Sequence, residues 1–268
     1  MKLGPLNTFI RNVKTFAAQF GIFDAIRFAC AEVTRKALDP YNIASYSQTG
    51  EDRILCTILG DTGFYVDVGC NHPQFYSNTF GLYKRGWAGI TIDANDALIQ
   101  KHQKLRKRDL SLCAAVSDHA QELIFTDFED ALVSSLSTEH VNAWQAWRKI
   151  KGQRVVNTVS LTTLLAGHQV PNQFDLLSID VEGHDYEVLS SLDLTLYRPK
   201  LIVIEMHEFD LLNPGSNKIY EYLSTNHYKL IGYVVMNGYF ADTLPQPSAA
   251  QDDQVQHYIC EQEPVFAG

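Results

Sequence analysis

The architecture of this chain is set by the stretch Phe64-Tyr65-Val66-Asp67-Val68-Gly69-Cys70-Asn71-His72-Pro73. Its apolar run ends in an acid and a glycine and then turns, a pattern typical of a buried parallel strand that meets a ligand at its C-terminal end. A second apolar strand, Trp87-Ala88-Gly89-Ile90-Thr91-Ile92-Asp93, also ends in an aspartate. Two such strands, one helix-length apart, predict the nucleotide-binding half of a doubly wound sheet.

Further strands alternate with helices along the chain. A helix or a lid is predicted over 138–150, which carries Trp144 and Trp147. The other strands that the residue pattern predicts are 110–118, 123–128, 155–159, 174–180, 201–207, 228–235, 238–241 and 255–260. This alternation predicts an α/β fold, with a doubly wound, mostly parallel seven-stranded sheet and a ligand crevice at the carboxyl ends of its strands.

The length of 268 residues suits one large domain, predicted for 45–268, preceded by an N-terminal helical extension over 1–44. In the extension, Phe9, Val13 and Phe16 recur at helical spacing, and basic residues outnumber acidic ones. Two interpretations stay open. The extension packs on its own domain or on a second copy in a homo-oligomer, or it lies on a membrane surface.

Composition argues against several classes of protein. The net charge of −9 repels phosphate backbones, so no nucleic-acid partner is expected. The five cysteines are an odd number without closely spaced pairs, which argues against a disulfide framework and indicates a reducing compartment, here the cytoplasm. No apolar run reaches about 18 residues and no apolar core follows Lys2, so neither a transmembrane helix nor a secretory signal is predicted.

The two strand-ending aspartates are the first candidate cofactor residues. Gly69, two positions after Asp67, lets the backbone approach a ligand closely. The further glycines of a dehydrogenase fingerprint are absent, and Pro73 occupies the turn. Asp93 is placed to accept hydrogen bonds from ribose hydroxyls. The structural alternative for Asp93 is a cap on the helix that follows it, and the two roles are compatible.

Acids and histidines end two later strands. Since side chains alternate along a strand, Asp180 and Glu182 share a face if their strand continues that far, and Glu205 and His207 share a face of the next strand. Parallel neighbours lie about 4.8 Å apart, so Asp180 and Glu205 are expected to converge. Carboxylates that close do not both stay ionised without a cation or a shared proton.

Two chemistries follow from this convergence. In the first, one group acts as general base on a substrate hydroxyl. The candidate catalytic residues are Asp180, Glu182, His184, Glu205 and His207. In the second, Asp180 and Glu205, with His207 or Glu208, hold a divalent cation such as Mg²⁺ that lowers the pKa of the hydroxyl. A purely structural alternative has Asp180 capping the helix near His184 and the other groups making structural hydrogen bonds.

Six blocks, in order along 45–209, resemble the FkbM-type methyltransferases, which use S-adenosylmethionine. The blocks are Tyr46-Ser47-Gln48-Thr49-Gly50-Glu51-Asp52; Tyr65-Val66-Asp67-Val68-Gly69-Cys70-Asn71-His72-Pro73; Tyr76-Ser77-Asn78-Thr79; Gly86-Trp87-Ala88-Gly89-Ile90-Thr91-Ile92-Asp93-Ala94-Asn95; Ala114-Ala115-Val116-Ser117-Asp118; and Asp180-Val181-Glu182-Gly183-His184-Asp185. The chain departs from the family at Pro73, where many members have glycine.

The resemblance implies a Rossmann-like methyltransferase fold and a set of cofactor contacts. By it, Asp67, Gly69 and Asn71 line the methionine end, Asp93 holds the ribose, and 115–118 frame the adenine. The cofactor-binding residues that it implies are Glu51, Asp67, Gly69, Cys70, Asn71, Ser77, Asn78, Asp93, Ala94, Ala115, Val116, Ser117, Asp118 and Asp180.

The expected function is methyl transfer from S-adenosylmethionine to an oxygen, a hydroxyl on a small-molecule sugar or secondary metabolite or on a glycan. Such a transfer depends on positioning and on proton removal. It needs no covalent enzyme intermediate, which fits the absence of a nucleophile-elbow motif. The alternatives are a nicotinamide-dependent oxidoreductase on the same kind of sheet and a non-catalytic subunit that binds the cofactor.

Overall fold

A computed structural model describes residues 45–245, together with Ile22, Ile26 and Cys30, which are helical. The chain divides into the units Met1–Ala44 and Ser45–Gly268, and the fold below is that of the second. The predicted N-terminal helical extension, apart from those three positions, and the predicted strand at 255–260 lie outside the described residues. Within the described part, every helix is too short or too polar to cross a membrane.

Ten strands and seven α-helices follow one another in this part of the chain. The strands are β1 (Phe64–Val68), β2 (Ala88–Asp93), β3 (Leu110–Cys113), β4 (Ala115–Val116), β5 (Glu122–Phe128), β6 (Ile150–Val159), β7 (Gln173–Ile179), β8 (Arg198–Glu205), β9 (Tyr228–Val234) and β10 (Asn237–Asp242). The helices are α1 (Glu51–Ile58), α2 (Phe80–Lys84), α3 (Asp96–Leu105), α4 (Thr138–Trp144), α5 (Leu161–Gly167), α6 (Asp185–Ser190) and α7 (Lys218–Thr225).

Seven of the strands form one sheet in the order β3-β2-β1-β7-β8-β10-β9. Strand β10 runs antiparallel to β8 and β9, and every other neighbouring pair is parallel. The prediction of a mostly parallel seven-stranded sheet is therefore confirmed. The strand order reverses between β1 and β7, so a ligand crevice is expected at their carboxyl ends.

The large sheet is buried on both faces, as the apolar strands require. All five residues of β1 are buried. Val66 packs in one cluster with residues of α5 and α6, whereas Tyr65 packs in another with Leu55 of α1 and Leu82 of α2. Because both faces are covered, polar groups that must meet a ligand are left at the strand ends.

A separate three-stranded sheet, in the order β4-β6-β5, corrects two predictions. The strand predicted over 110–118 is divided, because Ala114 leaves the large sheet after donating to Asp93 O at 3.0 Å, and Ala115–Val116 pairs with β6 instead. The helix predicted over 138–150 ends at Trp144, and Ile150 already belongs to β6. The strand predicted over 155–159 is the second half of β6, whose first half is exposed and mostly polar and carries no apolar signal.

Candidate active site

A cavity opens at the carboxyl ends of β1, β2 and β7, where the strand order reverses. Its empty volume is about 760 Å³, including its open mouth. Nine of the predicted site residues line it: Gly69, Asn71, Asp93, Ala94, Ala115, Val116, Asp180, Glu182 and His184. Predicted site residues from 69–116 and from 180–184 therefore line one cavity.

Gly69 is needed where β1 and β7 meet, which refines the prediction that it approaches a ligand. Its φ is +80°, and a Cβ at this position would lie 1.8 Å from the backbone oxygen of Asp180. Asp180 N in turn donates to Val68 O at 3.0 Å. The close contact of Gly69 is therefore made with the backbone of Asp180. It fixes the distance between Asp180 and the loop that follows β1.

Replacing Gly69 with alanine is expected to lower the free energy of unfolding by at least about 2 kcal/mol, because the new methyl group meets backbone and the positive φ is strained. Chemical denaturation of both proteins measures the change. Gly152→Ala is the control, since nothing lies within 4 Å of a Cβ there. Equal stability of the two variants would contradict the close approach.

Asp93 holds the loop that follows β1 at the edge of the cavity. One of its carboxylate oxygens accepts from Asn71 N at 3.0 Å and the other accepts from Asn95 N at 2.7 Å. Asn95, not Asp93, caps α3, since its side chain accepts from Ala97 N. Burial raises the pKa of Asp93 to about 6. Each oxygen keeps a second lone pair, so the carboxylate can still accept from ligand hydroxyls.

Asp67 was predicted to contact the cofactor, but it does not line the cavity. It is buried and accepts from Thr79 Oγ1 at 2.5 Å. The same hydroxyl accepts from Arg106 Nη2 at 2.8 Å, and Arg106 pairs with Asp109 at 2.8 Å. Burial raises the pKa of Asp67, and the Arg106 charge opposes that rise. The acid therefore anchors β1 inside a buried polar network under the site.

Only the first two residues of the segment 115–118, which was predicted to contact adenine, line the cavity. Ala115 and Val116 line the cavity beside Leu98 and Phe125, which makes this end apolar. Ser117 is buried behind them and lies 2.9 Å from His184 Nε2. Asp118 is outside the cavity lining and pairs with His119 at 2.7 Å.

The remaining predicted cofactor residues also lie outside the cavity lining and make structural contacts. Glu51 accepts from Asn237 Nδ2 at 3.1 Å, and Cys70 is buried. Ser77 Oγ accepts from Arg106 Nη1 at 3.3 Å, and Asn78 Nδ2 donates to Ser178 Oγ at 3.4 Å. These side chains support the loops that face the cavity.

The strand that carries the second half of the site stops earlier than predicted. Strand β7 ends at Ile179, and the chain then turns through Glu182 and Gly183, whose φ values are +57° and +86°. Asp185 fixes this turn, because its two oxygens accept from Val181 N and Gly183 N, each at 3.0 Å. Asp185, and not Asp180, therefore makes the side-chain hydrogen bonds just before α6. The structural alternative, in which Asp180 caps this helix, is wrong.

Four acids crowd this turn and the end of β8. Burial, Glu205 and Glu182 together raise the pKa of Asp180 well above its ordinary value. Burial, Glu205 and Asp185 raise the pKa of Glu182 to about 8, and burial and Glu205 raise the pKa of Asp185 to about 7. The charge of Glu205 thus acts on Asp180 across the ends of β7 and β8. Glu182 and Asp185, with pKa values of about 8 and about 7, exchange protons near neutral pH, as a general base must.

Glu205 and His207 do not share a face of one strand, since β8 ends at Glu205. They form an ion pair of 3.0 Å, which helps to raise the pKa of His207 to about 9. Over residues 45–245, no group of three His, Cys, Asp or Glu side chains has the arrangement of a metal site. The predicted ligand set of Asp180, Glu205 and His207 is therefore not assembled, and Glu208 does not complete one.

His184 lines the cavity, but both of its ring nitrogens lie near other side chains. Its Nε2 atom lies 2.9 Å from Ser117 Oγ, and its Nδ1 atom lies 3.8 Å from Glu187. Burial lowers its pKa. These contacts join the segment after β4 to the turn that carries Glu182.

Sequence reasoning missed the apolar residues of the wall that faces this turn. The segment 131–136 contributes Ala131, Leu132 and Leu136 to the cavity lining, and His140 follows it on α4. Only contact in three dimensions assigns these residues to the site, because no motif or apolar period marks them. The two adjacent serines Ser134 and Ser135 also line the cavity.

The described residues form a Rossmann-like fold with a cavity at the carboxyl ends of its central strands. Residues 67–230 match the model of the methyltransferase FkbM domain, which is more than half of the 268-residue chain. The chain therefore belongs to the FkbM methyltransferase family, and the resemblance seen in the sequence is confirmed. No curated protein and no solved structure is significantly similar to it. Membership decides against the oxidoreductase alternative.

Proposed function

We propose that this methyltransferase transfers a methyl group from S-adenosylmethionine to a hydroxyl of a sugar, a glycan or a secondary metabolite. The observation that carries the proposal is the arrangement of Asp93, Asp180 and Glu182 around one cavity. Asp93 can hold a ribose, and the two other carboxyls have raised pKa values that suit proton transfer. The cytoplasm is the proposed location.

The cofactor side is supported by the chemistry of the lining. The apolar end near Ala115, Val116 and Phe125 suits an adenine ring, and the Asp93 carboxylate suits the ribose hydroxyls. Asn71 and Gly69 remain for the methionine part of the cofactor. When bound, S-adenosylmethionine supplies the activated methyl group.

The negative charge of the cavity lining supports a hydroxyl group as the methyl acceptor. The lining carries Asp93, Asp180 and Glu182, and none of the described lining residues is lysine or arginine. A site of this sign disfavours phosphorylated acceptors and favours groups that donate hydrogen bonds, such as hydroxyls. As the oxygen attacks the methyl carbon, Glu182 accepts the hydroxyl proton, with Asp180 beside it. A bound sulfonium would favour the ionised carboxylate.

The metal-assisted alternative has less support, because the described side chains do not assemble a ligand set. Calorimetric titration with S-adenosylmethionine, with and without magnesium, tests both parts of the proposal. Micromolar binding that is independent of magnesium is expected. Absence of binding in both conditions would overturn the cofactor assignment, and magnesium-dependent binding would favour the metal route.

Cofactor affinity is expected to fall in acid because Asp93 must be ionised to accept from the ribose. Burial raises its pKa to about 6, so the carboxyl becomes neutral below that pH. The dissociation constant should be about 10-fold larger at about pH 5 than at about pH 7. Calorimetry at both pH values measures the ratio. The same ratio in Asp93→Ala would assign the pH dependence to another group.

A further inference from the structure

A histidine with no part in the reaction proposed above lies beside Glu182. His140 is on α4, and only 7% of its side chain is exposed. Its Nε2 atom is buried and makes no hydrogen bond within the described residues. That atom lies 3.4 Å from Glu182 Oε2. A buried ring nitrogen without a hydrogen bond is unusual, and it calls for an explanation in terms of function.

The local chain is shaped to bring His140 to this place. A Cβ on Gly183 would lie 3.3 Å from the His140 Cβ, so a side chain there would press α4 away from the turn. Ser137 caps α4 by accepting from His140 N at 3.3 Å. The ring of His140 also lies against Trp144, with 6.0 Å between the ring centroids.

Glu182 is itself held in an uncommon conformation from the same side. Its φ of +57° is rare for a residue with a long side chain, so its surroundings must stabilise it. Ser135 Oγ donates to the Glu182 backbone oxygen at 2.7 Å. The segment that contains Ser135 and His140 thus hydrogen-bonds the backbone of Glu182 and lies against its carboxyl.

We propose that His140 is a positioning residue, which holds the carboxyl of Glu182 toward the cavity through its Nε2 atom. This inference rests on the proposed function, because that function gives Glu182 its task. In the transfer, the acceptor oxygen bonds to the methyl carbon, the carbon–sulfur bond breaks to leave S-adenosylhomocysteine, and the hydroxyl proton passes to Glu182. His140 gains and loses no atom in this step, and it fixes the direction of the accepting oxygen.

The test is a long-range proton–nitrogen NMR correlation of the imidazole rings in the full chain, which contains nine histidines. The His140 signals are identified by their loss in His140→Gln. Glu182→Gln is expected to shift the His140 Nε2 signal. Asn142→Ala, an exposed position on the same helix, is expected to leave it unchanged. A His140 signal that is the same in wild type and Glu182→Gln would overturn the proposal.

A reciprocal measurement keeps the test valid if Glu182→Gln fails to fold. Carbon-labelled glutamate reports the Glu182 carboxyl, which should shift in His140→Leu and return toward wild type in His140→Gln, since glutamine restores a polar group. Equal signals in the two variants would count against a polar contact. S-adenosylmethionine titrations of both variants should match wild type. Loss of binding in wild type itself would overturn the proposed function, independently of the His140 result.

Discussion

Asp93→Ala is expected to weaken S-adenosylmethionine binding about 100-fold, which corresponds to about 3 kcal/mol. A carboxylate that accepts from ribose hydroxyls makes charge-assisted hydrogen bonds, each worth about 1.5–3 kcal/mol. The alanine variant also frees Asn71 N and Asn95 N, which Asp93 holds at 3.0 and 2.7 Å. The cavity wall should therefore loosen at the same time. Isothermal titration calorimetry of both proteins measures the loss.

The control for Asp93→Ala is Asp118→Ala, which removes an acid that lies outside the cavity lining. The Asp118 variant should bind within about twofold of wild type, since surface substitutions rarely have large effects. Thermal unfolding of each variant separates lost binding from lost structure. If Asp93→Ala binds as wild type does, Asp93 is structural only. If Asp118→Ala is the weaker binder, the predicted adenine contact at Asp118 is restored.

The sequence is most informative where strands are buried on both faces. Strand β7 was predicted over 174–180 and is Gln173–Ile179, because the buried apolar residues Phe174, Leu176, Leu177 and Ile179 mark its extent. Strand β8 was predicted from 201 but begins at Arg198, since its first residues are polar. Only the second half of exposed β6 was predicted, over 155–159, and its first residue, Ile150, was assigned to the helix or lid.

The candidate site was predictable only in part, for a physical reason. Strand-end acids such as Asp93 and Asp180 are visible because parallel strands deliver their ends to one edge. Whether an acid faces the cavity or the core is decided by its partners, and Asp67 turned inward to meet Thr79 and Arg106. His140 could not be predicted as a site residue for the same reason, since its position next to Glu182 depends on Gly183, which is distant in sequence.

Glu182→Gln is expected to lower the rate of methyl transfer by about 10²–10⁴-fold, the usual contribution of a general base. Cofactor binding should change little, because glutamine keeps the shape of the side chain and Asp93 is untouched. In wild type, the rate should rise with pH as Glu182 loses its proton. Burial and nearby acids set that pKa to about 8, and a bound sulfonium should move it lower. Single-turnover assays with an acceptor found by screening measure both effects.

The control for Glu182→Gln is Glu187→Gln, which changes a partly exposed acid of α6 that pairs with Lys218. Its rate should stay close to wild type. Asp180→Asn separates the two buried acids, because Glu205 and Asp185, not Asp180, are the charges that raise the pKa of Glu182, and the pH profile should therefore keep its position. If Glu182→Gln keeps the full rate while Asp180→Asn loses it, the proton passes to Asp180. Asp180 would then be the general base, and its raised pKa would be the one that governs proton removal.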